Sequence, residues 1–205
     1  MRKDTVATRK RIIDAAEKLF ADKGVEATSL LDIARASGQK NRSALQYHFK
    51  NKEGLLHKVL DKHAVPITKA RNARLDQLEQ SGSYSLYDLV DALVGPMADQ
   101  LDNAEGGRQF MKIHSQLMTS EKFRDFRQQR DKDLVDVQRM QKMAAAFTDN
   151  SNAKLVQARG ILIGCLLVHG LASYIPHQSR VPRKVFIHAL IQGVVDLMQQ
   201  QAAPA

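Results

Sequence analysis

Apolar side chains recur along most of the chain at the three- and four-residue spacing that places them on one face of an α-helix. The first predicted helix covers residues 5–23, and its apolar face is formed by Ile12, Ala16, Leu19 and Phe20. The alternation of apolar and polar residues that is typical of strands is not found in the sequence. The pattern therefore predicts an all-α protein.

Two short helices with a tight turn between them are predicted next. Ser29 and Asp32 have the spacing of a capping box, which predicts the start of a second helix. Gly38 follows in the turn, and a third helix is predicted over residues 41–49. Short helices joined by a glycine-containing turn are typical of a helix-turn-helix motif, here at about residues 29–49.

A longer helical region follows this motif. Asn51 is predicted to cap a fourth helix, which Pro66 must kink or restart. Amphipathic stretches then cover residues 84–103, 107–118, 121–147, 152–175 and 182–200. We therefore expect a small N-terminal domain over residues 1–52 and a larger helical domain over residues 53–205, joined by a continuing helix.

The positive charge of the chain is concentrated in its first third. The 205 residues include 31 Lys and Arg against 22 Asp and Glu, and residues 1–60 carry +6 of the net charge of +9. This asymmetry indicates an anionic partner for the N-terminal domain, such as nucleic acid or a membrane surface. A basic surface that is merely solvated would have the same composition.

The apolar segments and the single cysteine predict the cellular location of the protein. Residues 160–175 are shorter than a membrane span and are interpreted as a buried helix. Residues 1–14 lack the apolar region of a secretory signal. Cys165 has no second cysteine with which to form a disulfide, and it is interpreted as an inert core residue. We expect a cytoplasmic protein with no membrane partner.

The third helix has two chemically different faces at 100° per residue. The polar face consists of Arg42, Ser43, Gln46, Tyr47 and Lys50. The opposite face, which would anchor the helix, consists of Ala44, Leu45, His48 and Phe49. Arginine can bond guanine O6 and N7, and glutamine can bond adenine N6 and N7, so the polar face is predicted to contact bases in a major groove.

Neighbouring residues have groups that suit the DNA backbone. Thr28 and Ser29 precede the second helix, and Lys52 lies at the start of the fourth. Hydroxyl and ammonium groups in such positions are able to contact phosphate oxygens. A polar helix face that is only solvated remains the alternative, but the cap, the glycine turn and the basic excess all favour DNA binding.

Four segments in fixed order between residues 8 and 60 carry a family resemblance: "TRKRIIDAAEKLFADKG", "ATSLLDIA", "YHF" and "KEGLL". Together they resemble the DNA-binding domain of the TetR family of bacterial transcriptional regulators. The resemblance implies a helix-turn-helix regulator of transcription. The candidate DNA-binding residues are Thr28, Ser29, Lys40, Asn41, Arg42, Ser43, Gln46, Tyr47, His48 and Lys52.

The turn before the third helix departs from the usual family pattern. The segment "GQKNRSALQYHF" is one residue longer than the common "GVSKGTLYYHF", and Gln46 replaces the first tyrosine of the pair. Counting back from the final "HF", Arg42 takes the place of a lysine and Ser43 that of a glycine. The additional residue is therefore Gln39 or Lys40, and the helix is still expected to bind in a groove.

For the second domain, the resemblance implies a dimer in which a bound ligand alters the separation of two DNA-binding domains. The residues support dimerisation independently. Gly160 and Gly164 permit a close helix approach, and residues 183–198 are apolar nearly all round. We therefore expect a homodimer in which the last two long helices form a four-helix bundle with their symmetry mates.

An apolar or amphipathic small molecule is the expected effector, because bulky apolar and polar-tipped side chains are frequent in the middle helices. The candidate ligand-binding residues are Phe110, Met111, His114, Met118, Met140, Met143, His169 and Tyr174. Methionine and phenylalanine at this spacing are also typical of core packing.

Other chemistry has little support in the sequence. No phosphate loop, nucleophile elbow or paired catalytic motif is present. His114 and His169 lack the i, i+4 partners that are typical of a metal site. We expect a repressor of a palindromic operator, without enzyme activity, cofactor or metal. A constitutive architectural DNA-binding protein and an all-helical enzyme remain the alternatives.

Overall fold

A computed structural model of the protein describes residues 3–39, 43–131 and 134–201. Its helices are α1 Lys3–Lys23, α2 Leu30–Ala36, α3 Ser43–Phe49, α4 Lys52–Ser81, α5 Leu86–Ala98, α6 Gly107–Thr119, α7 Arg124–Asp131, α8 Val135–Ala144, α9 Ala153–Tyr174 and α10 Arg183–Gln199. Short 3-10 turns occupy Asp99–Leu101, Glu121–Phe123 and Ile175–His177. The described ranges contain no strand, which confirms the predicted all-α class.

The stretch predicted over residues 121–147 is divided in the structure. A 3-10 turn, α7 and α8 replace a single amphipathic element, and α7 ends at Asp131. Phe123 and Phe126 are buried in the first part of this stretch, and Met140 and Ala144 are buried in the second.

The helices form two compact units. Unit 1 comprises Met1–Val65 and Asp102–Arg127, and unit 2 comprises Pro66–Leu101 and Gln128–Ala205. α4 continues through Pro66 from one unit into the other. The two units are defined by packing contacts. The boundary predicted between residues 52 and 53 separates a DNA-binding domain from a ligand-binding and dimerisation domain, and it stays a prediction.

Both predicted helix caps are confirmed. The Asp32 N–H donates to Ser29 Oγ at 3.1 Å, and Asp32 Oδ2 accepts from the Ser29 N–H at 3.1 Å. The hydrogen bonds from Ser29 hold the pKa of Asp32 below its usual value. The Gly54 N–H donates to Asn51 Oδ1 at 2.8 Å. Free N–H groups at the starts of α2 and α4 are thereby satisfied.

The core of unit 1 joins the first four helices. In these helices the fully buried apolar side chains of unit 1 are Ile12, Ala16, Phe20, Ile33, Ala34, Leu45, Leu55, Leu56 and Val59. α6 packs on α1, and the side chain of Gln116 in α6 bonds the backbone at the C-terminal end of α1. This side chain donates to the Phe20 carbonyl at 3.1 Å and accepts from the Val25 N–H at 3.0 Å. The end of α1 is therefore capped by α6.

A buried charge also holds unit 1 together. Glu17 is 4% exposed, and its two carboxylate oxygens contact Lys62 Nζ at 2.7 Å and His63 Nε2 at 2.6 Å. Gly106, in the turn before α6, has φ +101°, and a Cβ there would lie 2.0 Å from Glu17 Oε2. This carboxylate therefore connects α1, α4 and the turn before α6.

An ion pair is buried in unit 2. Arg71 of α4 donates to Asp136 Oδ2 of α8 at 3.1 Å and to the Leu93 carbonyl of α5 at 2.9 Å. Asp136 is 1% exposed, and its other carboxylate oxygen has no hydrogen-bond partner among the described residues. Burial lowers the pKa of Arg71 from its usual value, and the charge of Asp136 acts in the opposite direction.

α9 is only partly covered within the chain. Leu167, Val168, Leu171 and Tyr174 are buried, but Ile161 and Leu162 are 68% and 50% exposed. The prediction of a buried helix over residues 160–175 is therefore wrong for its N-terminal part. By length and composition the segment Ala153–His177 is able to cross a membrane, a test that core helices of soluble proteins also pass, and 22% of its most apolar window is buried.

Candidate nucleic-acid interface

α3 is anchored by its apolar face and ends in a tight turn. Leu45 and Phe49 are 1% and 4% exposed. Lys50 has φ 65°, and its N–H donates to the Gln46 carbonyl at 2.9 Å. A Cβ at position 54 would lie 2.1 Å from the Phe49 carbonyl oxygen, so only glycine permits this connection between α3 and α4. The orientation of α3 is thus set by packing at its end.

Arg9 of α1 also supports α3, and the sequence pattern did not single it out. Its guanidinium carbon lies 5.4 Å from the centroid of the Phe49 ring. A cation over an aromatic face is an attractive arrangement. Its sequence signal was no more than membership of the basic N-terminal segment, because the contact depends on how α1 and α3 pack.

The polar face of α3 is exposed. Ser43 and Gln46 are exposed, and Tyr47 is 83% exposed. The structure therefore brings these three predicted DNA-binding residues together on one surface. Lys40, Asn41 and Arg42 lie outside the described residues, so their predicted contacts stay predictions. An exposed glutamine and tyrosine on an anchored helix are able to donate to and accept from base edges.

The hydroxyl groups before α2 are engaged inside unit 1. Thr28 is 1% exposed, and its hydroxyl lies 2.8 Å from the Gly24 carbonyl and 3.2 Å from the Leu19 carbonyl. The predicted DNA contact of this side chain is therefore wrong, because the hydroxyl is buried against two backbone acceptors. Ser29 is exposed, but its hydroxyl donates to Asp32 at 2.7 Å as part of the cap.

The other two candidates, His48 and Lys52, lie near the end of α3 and at the start of α4. Lys52, half-buried at the start of α4, donates from Nζ to the Glu26 carbonyl at 3.0 Å. Burial, followed by the charge of Lys122, lowers its pKa from the usual value. His48 is half-buried, with its ring centroid 5.1 Å from that of Tyr47. Lys52 is thus held in place at the start of α4 by the Glu26 carbonyl.

The eight predicted ligand-binding residues do not belong to a single unit. Phe110, Met111, His114 and Met118 are in α6 of unit 1, whereas Met140, Met143, His169 and Tyr174 are in unit 2. Phe110, Met111 and Met140 are buried, and Met118, Met143 and both histidines are half-buried. Phe110 stacks on His63 with ring centroids 5.0 Å apart, which is a packing role within unit 1.

Tyr174 is not available to orient a ligand. Its hydroxyl donates to the Val181 carbonyl at 2.7 Å, and its ring stacks on Phe186 with centroids 4.2 Å apart. The predicted role of its polar tip is therefore wrong, because Tyr174 joins α9 to the turn before α10 and to α10 itself. Two surface depressions, one beside residues 23–27 and one beside residues 196–200, include none of the eight predicted residues.

The fold and this surface define the class of protein: the chain carries a helix-turn-helix DNA-binding domain. The family model described as bacterial regulatory proteins, tetR family, matches residues 12–59. TtgW, an uncharacterized HTH-type transcriptional regulator of Pseudomonas putida, is 34% identical over 93 residues, which are 45% of this chain and 68% of that protein. The chain belongs to the TetR family of bacterial transcriptional regulators.

Another relative matches more closely over a smaller share of its own length. The HTH-type transcriptional repressor ComR of Escherichia coli is 39% identical over 88 residues, which are 43% of this chain. The chain spans 41% of ComR and 25% of TtgR, an HTH-type transcriptional regulator of Pseudomonas putida.

Solved structures resemble nearly the whole chain. NalD, the secondary repressor of the MexAB-OprM multidrug efflux pump in Pseudomonas aeruginosa, has a TM-score of 0.69 and 21% identity over 98% of this chain and all of that one. A complex of SmeT with triclosan has a TM-score of 0.58 and 21% identity, and it covers 91% of each chain. At this identity, the likeness shows a shared fold.

Proposed function

We propose that this protein is a cytoplasmic, ligand-responsive repressor that binds a palindromic operator as a homodimer. The observation that carries the proposal is the exposed polar face of α3, where Gln46 and Tyr47 project from a helix fixed by buried Leu45 and Phe49. The repressors among the relatives, ComR and NalD, support the direction of regulation. The complex of SmeT with triclosan supports a small-molecule effector.

The exposed apolar surface of α9 and α10 supports a dimer. It includes Val156, Ile161, Leu162 and Val185, which are 39–68% exposed. Apart from the adjoining residues and the backbone of α9 itself, no atom of the described residues lies within 4 Å of a Cβ built at Gly160, so a neighbouring helix is able to approach closely there. A dimer that buries this exposed apolar surface would carry two α3 helices, which suits an operator with two symmetric half-sites.

Selection of bound sequences from random duplex DNA tests the operator. We expect the wild-type chain to select two inverted half-sites, because a symmetric dimer binds symmetric DNA. Gln46→Ala should relax base preference at one position per half-site and weaken specific binding by about 1–3 kcal/mol. The matched control is Gln80→Ala, at an exposed glutamine near the end of α4, which should leave both unchanged.

The selection also separates this proposal from a constitutive architectural DNA-binding protein. Such a protein would recover sequences with no inverted repeat and would show no base preference for Gln46→Ala to relax. Unchanged base preference in Gln46→Ala, with a clear operator in the wild type, would remove Gln46 from the contact surface.

Lys52 is expected to contact a phosphate rather than a base. Its ammonium group is held by the Glu26 carbonyl and keeps further N–H donors. Lys52→Ala should weaken binding to operator and random DNA alike, and it should flatten the slope of log K against log salt by about one. The control is Lys58→Ala, because the ammonium of Lys58 already pairs with Asp61 at 3.0 Å. A loss confined to operator DNA would contradict the phosphate role.

The effector proposal rests on the half-buried side chains of the middle helices. Within unit 2, Met143 and His169 keep partial exposure in the described structure, so a ligand is able to reach them. Flexible methionine side chains adapt to apolar molecules of different shapes. A ligand releases DNA only if it binds the DNA-free conformation more tightly, and operator DNA must then weaken ligand binding by the same factor.

A further inference from the structure

Arg159 is a buried cation on α9 that makes no hydrogen bond to a carboxylate among the described residues. It is 4% exposed, and its Nη1 donates to the Asp149 main-chain carbonyl at 2.7 Å. Its Nε and Nη2 are buried and have no hydrogen-bond partner in the described part of the chain. The Asp149 carboxylate is exposed and accepts instead from the Ser151 N–H at 2.9 Å. The guanidinium therefore bonds a neutral group. Hydrogen bonds from Ser151 lower the pKa of the exposed Asp149 carboxylate, and the charge of Arg159 adds a smaller effect in the same direction.

Arg71, also buried in unit 2, has a carboxylate of the same chain as its partner. Arg71 donates to the carboxylate of Asp136 at 3.1 Å. A guanidinium cannot lose its proton in a protein, so burial without an anion is costly. Arg159 has the same need for an anion as Arg71, and the described part of unit 2 does not supply one by hydrogen bond.

The two unused donors of Arg159 also define the shape of the missing anion. Nε and Nη2 lie on one edge of the planar guanidinium and point in nearly parallel directions. Two parallel donors match the two oxygens of a carboxylate, which forms short bidentate bonds with arginine. The free edge therefore fits a carboxylate better than it fits a single hydroxyl or carbonyl oxygen.

The surroundings of Arg159 on α9 are apolar. Leu155, Ile163 and Leu166 lie four residues before, four after and seven after Arg159, so they share its face of the helix. All three are half-buried. An anion that carries a hydrocarbon tail would bury the tail on these side chains while its charged end bonds Arg159.

We infer that Arg159 binds the carboxylate of an amphipathic anionic effector, an inference that rests on the ligand-responsive function proposed above and names the chemical class of the ligand. The ligand enters by displacing the segment over residues 145–152, whose Asp149 carbonyl holds Nη1 in the ligand-free chain. The apolar tail lies along α9, and Arg159 selects the charge.

Calorimetric titration of the full chain without DNA tests this assignment with three probes of equal chain length: decanoate, decan-1-ol and decylammonium. Decanoate should bind about 10- to 100-fold more tightly than decan-1-ol, and decylammonium should bind more weakly still. Arg159→Met should lose the preference for decanoate, and Arg159→Lys should keep part of it, because lysine retains the charge but not the fork. Arg180→Met, at an exposed arginine, is the matched control.

Urea unfolding and the oligomeric state decide between a ligand site and a structural role. Arg159→Met should unfold in urea at the same concentration as the wild type or a higher one, because it removes a buried charge with two unsatisfied donors. Equal affinity for the three probes, or unchanged decanoate binding in Arg159→Met, would overturn the inference. Loss of the dimer in Arg159→Met would overturn it as well, since the guanidinium would then pair across the subunit interface. Operator binding by the ligand-free chain tests the proposed function separately.

Discussion

Replacing Asp136 by alanine is expected to lower the free energy of unfolding by about 3–5 kcal/mol. The substitution leaves Arg71 buried without its carboxylate partner, at a site where Asp136 is 1% exposed and the two side chains bond at 3.1 Å. Urea unfolding followed by circular dichroism measures the loss. The double variant Arg71→Met with Asp136→Leu should recover most of it, because neither charge is then buried alone.

A surface ion pair supplies the comparison for Asp136. Lys58→Ala removes an exposed pair with Asp61 and should cost no more than about 1 kcal/mol. If Asp136→Ala costs no more than Lys58→Ala, the Arg71 pair does not stabilise unit 2. If the double variant is as unstable as Asp136→Ala, the loss comes from packing rather than from the uncompensated charge of Arg71.

Replacing Ile161 by aspartate is expected to weaken the proposed dimer by about 3 kcal/mol or more, about 100-fold in the dissociation constant. Ile161 is 68% exposed in the single chain and lies in the mostly exposed N-terminal half of α9. In a two-fold symmetric interface the substitution enters twice, so two carboxylates lose water without a partner. Sedimentation equilibrium over a range of protein concentrations measures the change.

The control for Ile161 is Val65→Asp, since Val65 of α4 is 64% exposed and lies outside the proposed interface. It should leave the dimer intact. A monomeric Ile161→Asp should also lose operator binding, because one α3 helix contacts only one half-site. An intact dimer in Ile161→Asp would place the interface elsewhere and leave the apolar face of α9 unexplained.

Much of the DNA-binding domain could be predicted from short-range pattern. The caps at Ser29 and Asn51 depend on residues three positions apart, and this spacing can be recognised in the sequence. The apolar face of α3 follows from a period of 3.6 residues, and Leu45 and Phe49 are indeed buried. The family resemblance then supplied the function that the helical pattern alone left open.

Individual side-chain roles depended on contacts between distant residues. Thr28 was predicted to face DNA, but its hydroxyl bonds the Gly24 and Leu19 carbonyls inside unit 1. Tyr174 was predicted to orient a ligand, but it stacks on Phe186 and bonds the Val181 carbonyl. A sequence shows that a residue has a hydroxyl, and only the fold shows which acceptor that hydroxyl reaches.

By itself, the sequence determined the all-α class, the caps of the short helices and the polar face of α3, because these depend on residues within one or two helical turns. Tertiary structure alone decided that Arg71 bonds the carboxylate of Asp136 while Arg159 hydrogen-bonds only a carbonyl among the described residues, and that the N-terminal half of α9 stays mostly exposed. These features arise between helices that are far apart in the chain. The sequence shows which side chains are charged or apolar, but the packing of the helices determines which residues they contact.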